Sequence, residues 1–273
     1  MLRQRILTAV VLAPLAIWGT LALDAALFAA IVGAIVVLAA WEWGRLAGLT
    51  GPLRGAYAAL AGLLLVALYP ALSGFASARF ALIVLALIWW CAAFVWVLRF
   101  PANAEFWTRG RLAPAVAGLL VLIPAWAALV GLRIGAGPGF VLVLMFLVWG
   151  ADVGAFFAGR RWGRHKLAPR VSPGKTWEGL FGALGTAVVV ALVAGELLRI
   201  PGSRWAVFLG LCLVTVATSV LGDLMESMFK RLAHVKDSSG LLPGHGGVLD
   251  RIDSVTAAAP MFALGIALLG GHS

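Results

Sequence analysis

Charge is what this chain has least of. Only 12% of its 273 residues are Asp, Glu, Lys or Arg, roughly half the ~25% of a soluble domain. Apolar residues make up 63%, and the mean hydropathy is +1.03. That shortage excludes a soluble globular enzyme, a disordered chain and a coiled coil, and leaves a polytopic membrane protein. Cysteine is almost missing. Cys91 and Cys212 both lie in apolar runs, which excludes a disulfide framework or a thiolate metal cluster and reads as two small buried hydrophobes. Acids are scarcer still than bases, 11 against 21. Each acid therefore needs a reason to be present.

What is plentiful is long apolar sequence. Runs at about 6–23, 25–41, 56–72, 80–98, 112–131, 138–158, 179–198, 204–222 and 254–270 predict an all-α, polytopic integral membrane protein of about nine transmembrane helices. The first run follows Arg3 and Arg5 and is long enough to span as well as to target the chain. The whole of 1–273 reads as a single membrane domain. The 33 glycines suit close helix packing in lipid. Trp41, Trp43, Trp107 and Trp205, near span ends, suggest an interfacial belt.

The net charge of +10 does not call for a nucleic-acid partner. Basic loops held on the cytoplasmic side explain it better. With the N-terminus placed inside, 17 of the 21 basic residues fall on that side. This predicts a cytoplasmic N-terminus and puts both long polar connections, about 159–178 and 223–253, on the cytoplasmic face. The same charge would attract anionic head groups or phosphate substrates. The acids are lopsided too. Eight of the eleven lie in residues 150–273. Residues 1–149 read as helical scaffold, and 150–273 as the half that carries the active site.

Three constellations stand out. In the first, Asp223, Glu226 and Lys230 share one helical face, with Ser227 beside them. Glu226 and Lys230 are spaced as an ordinary i, i+4 pair. Asp223 directly follows an apolar run, so a solvated face explains it poorly. A glycine-rich loop follows at 238–247, then Asp250, Arg251 and Asp253 at the start of the last helix. Such a loop brings backbone N–H groups close to a phosphate. If it folds back, Asp250 meets Asp223 and the two share a divalent ion, with Glu226 a further candidate ligand.

The second is the basic segment leading into S-P-G-K-T-W-E-G at 172–179. Gly174-Lys175-Thr176 has part of a P-loop, but Pro169 stands where its first glycine belongs and no strand signal precedes it. An anion-binding turn at a helix N-terminus remains, with Ser172, Lys175 and Thr176 as candidate substrate contacts. The third is Asp152, an acid embedded in a span and therefore a functional candidate by default.

Residues 227–253 resemble the signature of the phosphatidate cytidylyltransferases, the CDP-diacylglycerol synthases. The pattern S-x-x-K-R-x-x-x-x-K-D, then G-H-G-G-x-x-D-R-x-D, is matched by Ser227, Lys230, Arg231, Lys236, Asp237, Gly244 to Gly247, Asp250, Arg251 and Asp253. Gly174 and Phe156 stand where the family often has lysine and tyrosine. The resemblance implies that CTP and phosphatidate give CDP-diacylglycerol and pyrophosphate. It implies Mg²⁺, with room for a second cation, on Asp223 and Asp250. Lys230, Arg231, Lys236 and Arg251 would balance the phosphates. Asp237, His245 and Asp253 would order the loop and the surroundings of the metal. Ser172, Lys175, Thr176, Ser227, Gly246, Gly247 and Asp152 would contact substrate. CTP would arrive from the cytoplasm and phosphatidate from the inner leaflet of a bacterial-type inner membrane. Membrane lipids are the other expected partners, and a homodimer is compatible with the glycine content.

A secondary transporter, with Asp152 and Asp223 as coupling-ion sites, is the alternative. The chain has no repeated halves, and its acids gather near span ends and not at midplane. No Asp-Gly pair occurs, which excludes the CDP-alcohol phosphotransferase pattern.

Overall fold

The computed structural model describes residues 2–241 and 246–270, with side chains from Leu12 onward. Ten α-helices and one β-hairpin follow in order: α1 Leu2–Ala22, α2 Ala25–Leu46, α3 Pro52–Gly74, α4 Ala76–Arg99, the short α5 Ala104–Thr108, α6 Leu112–Gly135, α7 Pro138–Trp162, β1 Lys166–Ala168, β2 Ser172–Thr176, α8 Trp177–Leu197, α9 Trp205–Leu232 and α10 Leu249–Gly270. Among the described residues, eight helices are long and apolar enough to cross a membrane: α2, α3, α4 and α6 to α10. The protein is an integral membrane protein. In α1 the described apolar stretch, Leu12–Ala22, is shorter than a full span. Helices dominate because hydrocarbon offers the backbone no hydrogen-bond partners, so each segment must satisfy its own.

The bundle has two cores. One joins α2, α3, α4 and α6 to the lower part of α9 through Trp43, Leu122, Trp126 and Phe229. The other joins α6, α7, α8, α9 and α10 through Leu144, Phe208, Cys212 and Phe262. Large side chains such as Leu63, Val66 and Ile88 point outward, as lipid contact requires. Cys91 is among the exposed residues, unlike Cys212. It faces outward where burial was expected, because an apolar run in lipid has two apolar faces.

Two of the expected belt tryptophans are also core residues. Trp43 and Trp107 are buried and pack on Phe229, with ring centroids 4.9 and 5.1 Å away. The Trp43 indole N–H donates to Pro114 O at 2.8 Å. This cluster clamps the last turns of α9 against the first half of the chain. Trp41 does behave as a boundary residue, with the Arg54 guanidinium 3.3 Å from its ring centroid.

The tightest seam is between α7 and α8. A methyl group on Gly182 would sit 2.3 Å from Ala158 Cβ and 2.5 Å from Gly154 O. Backbone meets backbone there, and neither side can retreat. Gly182→Ala is expected to destabilise the fold by about 1–3 kcal/mol, the usual cost of overpacking. Thermal unfolding in detergent measures this, and an unchanged Tm would show that the seam yields.

α9 has 28 residues. At 1.5 Å per residue it is about 42 Å long, more than the ~30 Å of hydrocarbon. Its last turns therefore extend beyond the apolar layer. They carry Asp223, Glu226, Ser227, Lys230 and Arg231 to one end of the bundle, where α2 and α7 end and α8 and α10 begin.

Candidate active site

The site starts from one face of α9. Lys230 Nζ lies 2.7 Å from Glu226 Oε2 and 2.7 Å from Asp250 Oδ1. The i, i+4 pair read from the sequence is present, but it is no solvated surface pair. Glu226 is only 2% exposed. One ammonium thus ties α9 to the start of α10. Nearer the start of α9, Ser227 Oγ donates to Asp223 Oδ1, four residues before it, at 3.2 Å.

The hairpin supplies the next charge. β1 and β2 pair antiparallel, Lys166 with Thr176 and Ala168 with Ser172. A strand therefore runs straight into α8, where the sequence reading expected only a turn. The segment is short and contains Pro173 and Gly174, so its strand signal is weak. Lys175 Nζ reaches Asp223 Oδ2 at 2.7 Å. Arg231 Nε donates to Val171 O at 3.2 Å and holds the hairpin on α9. Thr176 is the N-cap of α8: its buried hydroxyl oxygen accepts from Gly179 N at 3.1 Å. The cap uses its hydroxyl oxygen as an acceptor. Ser172 opens β2, half-buried.

The loop between α9 and α10 does fold back. Asp250 Oδ2 accepts from Ser238 N at 3.0 Å and Gly247 N at 2.7 Å. Ser238 Oγ lies 3.0 Å from that oxygen and 3.1 Å from Glu42 Oε2. One hydroxyl proton sits between two carboxylates. Gly247 is where the clasp is tightest: a methyl group there would sit 2.0 Å from Ser238 Oγ and 2.6 Å from Glu42 Oε2. Gly246, at φ +80°, makes the preceding turn in the left-handed region that glycine favours.

Glu42 was missed by the sequence reading. It lies on α2, in the half taken as scaffold, and is 0% exposed. Its carboxylate accepts from Val248 N at 3.0 Å, Leu249 N at 2.6 Å, Ser238 Oγ and Ser239 Oγ. It therefore caps α10 from another helix and pins both ends of the 238–248 loop. Free N–H groups and the dipole of α10 stabilise its charge. The signal was available: an acid at the end of a span, between Trp41 and Trp43, meets the same criterion that singled out Asp152.

Five acids form a row. Asp152 lies within electrostatic reach of Asp223, Lys175 and Arg251. Asp253 lies within reach of Asp223, Glu226 and Lys230. Glu226 is within reach of Asp253 and Asp250. Lysines stand toward both ends, Lys175 on Asp223 and Lys230 on Glu226 and Asp250. Between them the buried Glu226 Oε1 has no N–H or hydroxyl donor and lies against the Asp253 carboxyl. A carboxylate oxygen among like charges suits a hard cation, and the donor set, all oxygen, has the right chemistry for one. Among the described residues, no three acidic, histidine or cysteine side chains gather on a common point. Both oxygens of Asp250 are engaged by Lys230, Ser238 and Gly247.

The structure thus brings together Asp152, Lys175, Asp223, Glu226, Ser227, Lys230, Asp250 and Asp253. Lys236, Asp237 and Arg251 are exposed at its edge. His245, with Gly244, lies outside the described residues.

Comparison with known proteins shows the family. The family model described as the cytidylyltransferase family matches residues 3–269. A phosphatidate cytidylyltransferase of Pseudomonas aeruginosa is 51% identical over 269 residues, covering 96% of each chain. One of Haemophilus influenzae is 41% identical over 281 residues, covering 96% of this chain and 98% of that one. One of Brucella suis is 44% identical over 160 residues, 58% of each chain. The chain belongs to the cytidylyltransferase family and is an enzyme of that class.

Proposed function

We propose that this member of the cytidylyltransferase family makes CDP-diacylglycerol from CTP and phosphatidate at the cytoplasmic face of a bacterial inner membrane. The observation that supports it best is the row of five carboxylates with lysines set among them, at the end where the two long polar connections meet. Such a row can handle a polyphosphate only if cations are interleaved with the acids, and here they are.

In the reaction, a phosphate oxygen of phosphatidate bonds to the α-phosphorus of CTP. The bond from that phosphorus to the bridging oxygen breaks, and pyrophosphate leaves with the electron pair. The attacking phosphate is already ionised at neutral pH, so no side chain need remove a proton from it. What the chain must supply is alignment and neutralisation. Lys175 and Lys230 already sit on carboxylates and can exchange them for phosphate oxygens. Arg231, Lys236 and Arg251 add charge at the edge. Ser227 keeps Asp223 oriented.

Asp223 and Glu226 would hold Mg²⁺ as a pair, with Asp250 joining them only by giving up its loop donors. When bound, the ion neutralises charge building on the triphosphate and orients the leaving group. A second cation has room only if Lys175 or Lys230 moves aside. The basic-residue bias supports a cytoplasmic N-terminus and a cytoplasmic position for this end of the bundle, where CTP is available.

The test is an assay of purified protein with labelled CTP, phosphatidate and Mg²⁺. CDP-diacylglycerol and pyrophosphate should appear in equal amounts. EDTA should stop both, and added Mg²⁺ should restore them. Failure to release pyrophosphate in the presence of both substrates would sink the reading and leave ion-coupled transport to be measured instead.

A further inference from the structure

A cavity of about 540 Å³ lies at the end of α7, away from the acid row, lined by Arg160, Arg161, Trp162, Gly163 and Arg164, with His165 and Glu178 at its side. None of the three guanidinium groups has an ion pair or hydrogen bond among the described residues. The acid nearest them is already used. Glu178 Oε1 is 2.7 Å from His165 Nδ1, and Glu178 also accepts from His165 N. The cavity therefore holds three guanidinium groups against one carboxylate, an excess of about two positive charges with His165 neutral, on forked donors suited to phosphate oxygens.

Aromatic side chains beside it mark its depth. Phe156, Phe157 and Trp162 on α7, and Trp177 and Phe181 on α8, all face outward. Such a girdle sits at the head-group level of a bilayer. A lipid whose chains lie on those rings would present its head group to the arginines. The chains cannot pass between α7 and α8, because the glycine seam is closed backbone to backbone. They must stay on the outer face while the head group reaches over the helix end. From there the hairpin leads inward: Trp177 N donates to His165 O at 2.9 Å, and β2 ends one residue after Lys175, the partner of Asp223.

We propose that this cavity captures the phosphomonoester head group of a membrane lipid before it reaches the acid row. The inference rests on the function proposed above and adds the place where the lipid substrate is first held. A phosphomonoester carries up to two negative charges, whereas the phosphodiester of a common phospholipid carries one. Three guanidinium groups therefore prefer the former. Retention of these arginines for membrane orientation alone predicts no such preference.

The test uses full-length protein in nanodiscs, where both faces are accessible and orientation in a cell no longer matters. Phosphatidate with brominated chains should quench Trp162 fluorescence more than brominated phosphatidylcholine or phosphatidylglycerol at equal content, with Trp162→Phe giving the part of the signal due to Trp162. The combined variant Arg160→Gln, Arg161→Gln, Arg164→Gln should lose that preference. Its kcat/KM for phosphatidate at low surface fraction should fall about ten- to hundredfold, given roughly tenfold or less per arginine near a charged surface. Its KM for CTP should move less than about twofold. The matching lysine variant keeps the charge but not the forks and should fall between the two. Equal quenching by all three lipids, or a rise in KM for CTP instead of the lipid effect, overturns the proposal. Head-group preference in a protein that releases no pyrophosphate would instead leave the cavity standing and remove the proposed reaction.

Discussion

Asp223→Asn is expected to lower kcat by roughly a thousandfold or more, the scale on which losing one group that manages transition-state charge acts. Expression and helix content should be unchanged. The reason lies in what touches this carboxylate. One oxygen holds Lys175 on the hairpin, and the other accepts from Ser227. Both Asp152 and Asp253 feel its charge. An amide in its place keeps the shape but loses the charge. Lys175 is then left without a counter-ion, and the row loses the member between Asp152 and Asp253. Steady-state rates at saturating CTP, phosphatidate and excess Mg²⁺ measure this. Lys175→Gln should cost less, since only one contact is lost. The double variant should fall short of the sum, because the two side chains act on each other. Near-full activity of Asp223→Asn under those conditions would remove Asp223 from the centre of the site.

Much of this was legible from the sequence because lipid makes hydropathy a direct readout of helices. The runs at 138–158 and 254–270 lie inside α7 and α10, as Pro138–Trp162 and Leu249–Gly270. The single-face spacing of Asp223, Glu226 and Lys230 is also a local property, fixed by helical geometry. What could not be read were features that depend on distant partners. Trp43 and Trp107 sit near span ends like belt residues, yet Phe229, far along the chain, draws both inside. The β-hairpin has strands of three and five residues, too short for a periodic signal. Thr176 follows lysine and glycine like a phosphate contact, and its further part as the N-cap of α8 depends on where that helix begins. Asp250 looked free to hold a cation because its loop partners, Ser238 and Gly247, meet it only after the loop folds back.

Glu42 is the sharpest case, and the second large effect is expected there. Glu42→Gln should lower kcat/KM for CTP about a hundredfold while leaving the helical bundle assembled. The carboxylate receives four donors, two of them backbone N–H groups of the α10 start. Glutamine offers one oxygen that can accept and one NH₂ that cannot. At least one backbone N–H then faces another donor, at a buried position where an unsatisfied group costs about 1–3 kcal/mol. The cheapest relief is for the 238–248 loop to lift, since these bonds hold it to α2. Lifting it releases Ser238 and Gly247 from Asp250, and with them the alignment of Asp250 on Lys230. About 2.7 kcal/mol of lost transition-state stabilisation corresponds to that hundredfold change. Hydrogen exchange at Val248 and Leu249 should accelerate in the same variant, while amides in α6 and α9 stay protected. A loop that keeps its protection alongside a wild-type kcat/KM would mean that Glu42 only fills space between α2 and α10. A variant that loses protection throughout the bundle would make Glu42 a folding residue and not one that positions the site.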